Sequence, residues 1–219
     1  MNNWYLDSGK ESDVVISSRI RLARNYNNIP FLNKMTKEDA ERVIEEFEKI
    51  LPKLNYGLKI LRLKDMDGLT KLSLIEKHII SPDFAMEKND IGAIAINNEE
   101  NICIMLNEED HIRLQVFSSG LDIKNIYKLA DEIDEKICEN LNIAFNEKYG
   151  FLTSCPTNAG TGLRASVMVH LPGLTKTGNI KKVLESVSDF GLNIRGVYGE
   201  NSKISGDMYQ VIFIIYQLI

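Results

Sequence analysis

Arg19 and Arg21 stand two positions apart in "SSRIRLAR", residues 17–24, which gathers three arginines in a 219-residue chain of formal net charge −5. If the stretch is extended, their guanidinium groups project from one side, roughly 7 Å apart, while Ile20 and Leu22 project from the other. Such a pair of planar forks suits an oligophosphate, since each grips phosphate oxygens through two hydrogen bonds and stays charged at physiological pH. The pattern equally describes a solvated strand face with surface salt bridges. Arg24 has no assigned ligand contact and reads as structural.

Three further stretches carry groups suited to chemistry. In "LNEEDHIRLQ", residues 106–115, an early strand start would put Glu109, His111 and Arg113 on one face and Glu108 and Asp110 on the other. A carboxylate there could hold a cation beside an arginine holding an anion; a polar turn is the alternative. In "LTSCPTNAGTGLRASVMVHLP", residues 152–172, Pro156, Gly160 and Gly162 mark an irregular loop that ends at Arg164. GxxxxGK[ST] is absent, so this is no Walker loop. Cys155 in that loop is either a nucleophile or a small buried hydrophobe. In "NIRGVYGENSKISGD", Gly196, Gly199 and Gly206 describe a mobile loop with Arg195 at its edge. His78 closes a short helical stretch before Ser81 and Pro82, as a site residue or as a structural one.

These groups need a frame. The chain is 44% hydrophobic, enough for one substantial core, and we expect a single domain over residues 1–219. Helical period runs through Ala40, Val43, Ile44, Phe47, Ile50 and Leu51, with Thr36 as N-cap and Asp39 three residues on. It recurs through Ile123, Ile126, Ala130, Ile133, Ile137 and Leu141, and through Ile180, Val183, Leu184 and Val187 up to Gly191. Strand character marks "IGAIAI", "NICIML", "IRLQVF", "ASVMVHL", "NIRGVY" and the tail. Adjacent strands with short connections predict an α+β fold, an antiparallel β-sheet flanked by helices, with the helices segregated to one face.

The acidic balance gives no general attraction to nucleic acid or to an anionic membrane, so neither is expected as a direct partner. The longest apolar run, "VIFIIY", is too short to span a bilayer. Cys103, Cys138 and Cys155 form no CxxC pair, which speaks against a zinc site or a disulfide framework, and no metal-ligating set is expected. With no leader pattern, the expected setting is the reducing cytoplasm.

Taken in order, "SSRIR", "NEEDHIR", "CPTNAGTGLRASV" and "RGVYGE" resemble the catalytic domain of the ATP:guanidino phosphotransferases, the family of creatine and arginine kinases, over about Trp4 to Gln210. "SSRIRLARN", "IPF" and "RGVYGE" resemble most the bacterial protein arginine kinases within it. Metazoan members place a helical domain before the equivalent of Ser17, and it helps enclose a free guanidine. Here sixteen residues precede that serine.

The resemblance implies ATP and Mg²⁺ as cofactors and phosphoryl transfer to arginine residues of proteins. It implies phosphate contacts for Arg19, Arg21, Arg113, Arg164 and Arg195, with Ser17, Ser18 and Ile20 alongside. A nucleotide loop is implied over Arg164, Ala165, Ser166, Val167 and Met168, and further nucleotide contacts over Gly196, Val197, Tyr198, Gly199 and Glu200. His78 corresponds to the histidine beside the adenine, Glu109 to the carboxylate that holds the guanidinium, and Cys155 to the thiol near the substrate nitrogens. Implied partners are protein substrates with exposed arginine, a stress-response repressor, a zinc-finger activator and the Clp protease machinery. Alternatives are a kinase for a free small guanidine and a non-catalytic nucleotide-binding fragment. The closing "VIFIIYQLI" departs from the family pattern, in which a polar segment and a terminal helix follow. The expectation is a catalytic domain incomplete at its C-terminus, through truncation or a frame shift.

Overall fold

The structure, a computed structural model, describes residues 3–86, 90–189, 192–195 and 206–214. Ten strands are present among them: β1 (Val15–Arg24), β2 (Lys59–Arg62), β3 (Ala93–Ile96), β4 (Ile102–Leu106), β5 (Ile112–Ser119), β6 (Phe145–Asn146), β7 (Gly150–Phe151), β8 (Leu163–His170), β9 (Asn193–Arg195) and β10 (Met208–Ile214). The helices are α1 (Lys37–Leu54), α2 (Gly68–Glu76), α3 (Pro82–Ala85), α4 (Ile123–Asn140), α5 (Pro172–Lys176) and α6 (Ile180–Asp189), with short 3₁₀ turns at Trp4–Leu6, Leu63–Asp65 and Pro156–Asn158. Eight strands form one antiparallel sheet in the order β2-β3-β4-β5-β1-β8-β10-β9, and β6 and β7 make a separate hairpin.

The apolar stripes of α1 and α4 pack on one face of this sheet. Ile20, Leu22, Ile104, Leu114 and Ala165 meet Val43, Phe47, Ile126, Ile133 and Ile137 there in one buried cluster. Helix α1 starts as its spacing predicts: Thr36 accepts from the Asp39 N–H while the Asp39 carboxylate accepts from the Thr36 N–H, a closed capping box. Near β8 and β10 the same face continues through Val15, Val167, Val169 and Tyr209, against Ile180 and Leu184 of α6.

The opposite face corrects one expectation. Helices do not lie on one side only: α2 and α3 cover the β2–β4 edge of the other face, where Leu74, Ile79, Phe84, Ile94, Cys103 and Met105 form a second buried cluster. The middle of that face, across β5, β1 and β8, carries polar side chains.

Arg24 belongs to the helix-covered side. Its Nη2 donates to Asp134 of α4 at 2.5 Å, its Nη1 donates to the carbonyls of Ala23 and Thr161, and its guanidinium lies 3.5 Å from the Phe151 ring centroid. The group pins the central strand to α4 and to the β6–β7 hairpin, which is the structural role its lack of a ligand contact suggests.

Candidate active site

Strand pairing assembles the cleft. Arg21 lies opposite Gln115 of β5 and Arg164 of β8, Ala23 lies opposite Arg113, and Arg19 lies opposite Phe117 and Ser166. Directly paired residues share a face, so four arginines from three adjacent strands converge. With His78, Ser81, Met105, Glu108, Gln115 and Gln210, they line one cleft between the sheet and the α2–α3 segment.

Concentrated positive charge governs this cleft. Burial, then the neighbouring Arg113, pushes Arg19 down to about 10. Burial and the charges of Arg19, Arg113 and Arg164 hold Arg21 well below the usual guanidinium range, with Glu108 opposing. The Nε atoms of Arg19, Arg21 and Arg164 are buried and accepted by no partner among the described residues. Buried donors of one sign with unused N–H groups are suited to a polyanion that supplies both the charge and the acceptors.

The acidic stretch folds as the polar turn and not as an early strand start. β5 begins only at Ile112; Asn107 takes a left-handed backbone conformation, φ 60, and its N–H donates to the carbonyl of His111. His111 is fully buried, accepting from the Tyr26 N–H at Nδ1 and meeting the Pro30 carbonyl at Nε2, so it is absent from the face of Arg113. The turn still brings acid to arginine. Arg113 pairs with Glu108 at 2.6 Å and with Glu109. Glu108 lines the cleft, while Glu109 is at its rim with its side chain 42% exposed. Asp110 Oδ1 accepts from Asn25 Nδ2 and from the Ser154 N–H, tying this turn to the cysteine loop.

In that loop Cys155 caps the 3₁₀ turn Pro156–Asn158, and its Sγ is 3.0 Å from Thr157 Oγ1. Arg164 Nη2 donates to the same hydroxyl at 3.3 Å. The thiol thus stands one hydroxyl away from the arginine cluster. It is half-buried, not a core hydrophobe.

His78 is placed by the end of α2. It adopts φ 57, and the Ile79 N–H reaches back to the Leu74 carbonyl, a Schellman-type closure. Gln115 donates to the Ile79 carbonyl at 2.7 Å, holding this segment over the sheet. Burial, then Arg19, pushes the His78 imidazole below its ordinary range, favouring the neutral ring beside the arginines.

Several expected contacts fall elsewhere because a strand alternates. Ser18, Ile20, Ala165 and Val167 have their side chains on the helix-covered face; Ser18 Oγ donates to Gly120 and caps the start of α4 through the Asp122 N–H. Residues Arg164 to Met168 are regular β8 strand, so the expected loop is corrected to a strand whose backbone is spent on pairing with β1 and β10. Ser17, Ser166 and Met168 do face the cleft side, in a slot next to Arg19. Arg195 pairs with Gln210 in the sheet register, and Gly196, Val197, Tyr198, Gly199 and Glu200 lie outside the described residues. Gln115, Gln210 and Thr157 carry no motif that marks them as site residues, and Glu108 falls in the acidic stretch without an assigned role. A polar residue at an inward position of an otherwise apolar strand is the signal for the two glutamines.

Solved structures share this arrangement of sheet and helices. The chain superimposes on the duplicated taurocyamine kinase of Schistosoma mansoni, solved with transition-state analogue components bound, with TM-score 0.79 and 28% identity over 93% of this chain and 30% of that one. Lombricine kinase gives TM-score 0.75 and 26% identity over 92% of this chain and 59% of that one. Residues 38–215 match the family described as ATP:guanido phosphotransferase, C-terminal catalytic domain, and the chain belongs to that family. It is 45% identical to a protein-arginine kinase of Clostridium tetani, and 47% identical to one of Clostridium novyi, each over 96% of this chain. The chain spans 62% of the length of each of these relatives.

Proposed function

We propose that this chain is the catalytic domain, residues 1–219, of an enzyme that transfers the γ-phosphoryl group of MgATP to the guanidinium of arginine residues in proteins. The observation that carries this reading is the convergence of Arg19, Arg21, Arg113 and Arg164 beside Glu108 and Glu109. Phosphoryl transfer is accelerated mainly by alignment and charge stabilisation, and a fixed arginine cluster supplies both. A guanidinium nitrogen attacks the γ-phosphorus as the bond to the β,γ-bridging oxygen breaks and ADP leaves. Glu109 orients the planar acceptor and takes the proton lost as the N–P bond forms, with Cys155 positioning rather than carrying phosphate.

A magnesium ion would be held here together with the nucleotide. Among the described residues no group of three or more His, Cys, Asp or Glu could cage an ion, whereas Glu108 offers one carboxylate inside the cleft. That fits an ion held mainly by phosphates and water, which neutralises phosphate charge when bound.

The bacterial relatives' name supports a protein-bound acceptor. A free small guanidine is the second reading, favoured by the taurocyamine and lombricine kinases among the solved structures. A cytoplasmic setting, a stress-response repressor, a zinc-finger activator and Clp machinery belong to the same reading by family resemblance. Among the described residues no helix is long and apolar enough to cross a membrane. Turnover on an arginine-bearing protein compared with free arginine tests the choice: faster transfer to the protein supports the first reading, and faster transfer to free arginine overturns it.

A further inference from the structure

Asn25 follows β1, is fully buried and stands outside the residues that line the arginine cleft. Its side chain is engaged at both ends. Oδ1 accepts from the His111 N–H at 2.9 Å, while Nδ2 donates to Asp110 Oδ1 at 2.7 Å and to the Leu152 carbonyl at 3.0 Å. These neighbours fix the amide's orientation: a backbone N–H only donates and a backbone carbonyl only accepts, so the turned amide would set oxygen against oxygen. Asn25 therefore grips two consecutive residues of the acidic turn and, with its other N–H, the segment that leads into the cysteine loop.

A second buried group completes the link. Asp110 Oδ1 takes the Ser154 N–H at 2.7 Å as well as Asn25 Nδ2, and Asp110 Oδ2 is buried with no hydrogen-bond partner among the described residues. The side-chain hold of the acidic turn on Ser154 thus runs through one carboxyl oxygen. Asp110 adjoins Glu109 in the chain, and Ser154 adjoins Cys155. The two side chains assigned to the acceptor guanidinium are each one residue from the same oxygen, although their segments lie more than forty positions apart. Without the Asn25 amide that oxygen loses one of its two donors, and the buried His111 N–H loses its acceptor.

We propose that Asn25 is a positioning residue of the acceptor site, which sets the separation of Glu109 and Cys155 through Asp110. It acts on the transfer step and not on nucleotide binding. The proposal rests on the reading of Glu109 and Cys155 as acceptor-side groups. It also gives β1 a second duty: Arg19 and Arg21 line the cleft from the strand whose end holds the acidic turn and the cysteine loop, so both halves of the site are referred to one rigid element.

The test compares wild type, Asn25→Ala and the milder Asn25→Ser at temperatures where each is folded. Three measurements are made: calorimetric titration with MgATP, the transfer rate at saturating MgATP to a mixture of folded proteins and separately to free arginine, and the rate of Cys155 alkylation by iodoacetamide. Asn25→Ala should slow transfer about a hundredfold, the loss expected when a reacting group is misplaced by about 1 Å. Its ATP dissociation constant should stay within about threefold of wild type, and Cys155 should alkylate faster. Asn25→Ser keeps one hydroxyl for the three partners and should fall between, which answers the same question if the alanine variant does not fold. Combined with Glu109→Gln, either substitution should cost much less than the product of the single losses, because the group it positions is already gone.

Transfer within about threefold of wild type in the folded variants overturns the positioning role. So does a loss of ATP affinity in step with transfer, unchanged alkylation of Cys155, or a double variant that shows the full product of losses. Each of these leaves the phosphoryl-transfer reading standing. A wild type that transfers to neither acceptor overturns that reading, and the positioning role with it.

Discussion

The guanidinium of Arg113 pairs with the carboxylate of Glu109, four residues before it and at the rim of the cleft. Glu109 therefore already pairs with a guanidinium, the group that an arginine substrate would present to it on the proposed reading. On that reading a substrate guanidinium competes with Arg113 for Glu109, while Arg113 keeps its pair with Glu108 inside the cleft. Glu109→Gln keeps the shape but removes the charge and the proton acceptor. It should lower the rate of transfer roughly 10²-fold to 10⁴-fold while ATP affinity stays within a few-fold. Single-turnover transfer and nucleotide titration of the same sample read the two effects, and unimpaired transfer would exclude Glu109 as the base.

Burial against like charges predicts that Arg21 costs the free protein stability. Its charge is buried against three other arginines, and its pKa is held down by burial and by those neighbours. Arg21→Met should raise the melting temperature of the free protein. Tripolyphosphate at a hundred times its dissociation constant should stabilise the wild type by about 2.7 kcal/mol and the variant far less. Equal ligand stabilisation of both proteins, by calorimetry, contradicts a phosphate role for Arg21.

Arg24 and Asp134 form the opposite case, a buried pair with no place in the cleft. Their side chains are 4% and 11% exposed. Asp134→Ala leaves Arg24 charged and buried with two carbonyls for company, and should destabilise the fold by about 3 kcal/mol. Denaturant unfolding measures this, and ATP affinity of the folded variant should be unchanged.

His111 predicts a pH dependence of stability. Burial pushes its imidazole below the ordinary value, with the Pro30 carbonyl and the Asp110 and Asp39 charges opposing. The unfolded chain therefore binds the proton first as pH falls. The stabilisation is fully present above the unfolded value of about 6.5 and is lost as pH drops through the lower folded value. Protonation also removes the Nδ1 acceptor of the Tyr26 N–H. The stability gap between wild type and His111→Gln should narrow between pH 7.5 and pH 5 by roughly the linkage slope of one proton, about 1.4 kcal/mol per unit at most. A gap that is constant with pH in urea titrations would count against the buried neutral ring.

Much of this frame was legible in the residues. The apolar period of α1 and α4 and the alternation of Arg19 with Ile20 and Arg21 with Leu22 each describe one buried and one functional face, and local periodicity is enough to see them. The α2–α3 cover was not legible as a layer, because nine- and four-residue helices contribute few turns of pattern. Nor was edge strand β2, where "KILR" is only half-buried. The acid stretch could be read as a turn or as an early strand for a different reason: whether Glu109 lies on a strand or before it depends on the left-handed Asn107, whose side chain donates to the carbonyls of Ala40 and Ile91. Trp4 and Gln210 meet at the slot from opposite ends of the chain, and only the sheet order brings them together.

The most direct test is to incubate the purified chain with MgATP labelled at the γ-phosphate and a mixture of folded proteins, then to map adducts by mass spectrometry under non-acidic handling. The account predicts acid-labile phosphoryl groups on arginine side chains, present with the wild type and missing with Glu109→Gln. ATP binding without phosphoarginine on any acceptor, or transfer to free arginine alone, would contradict it.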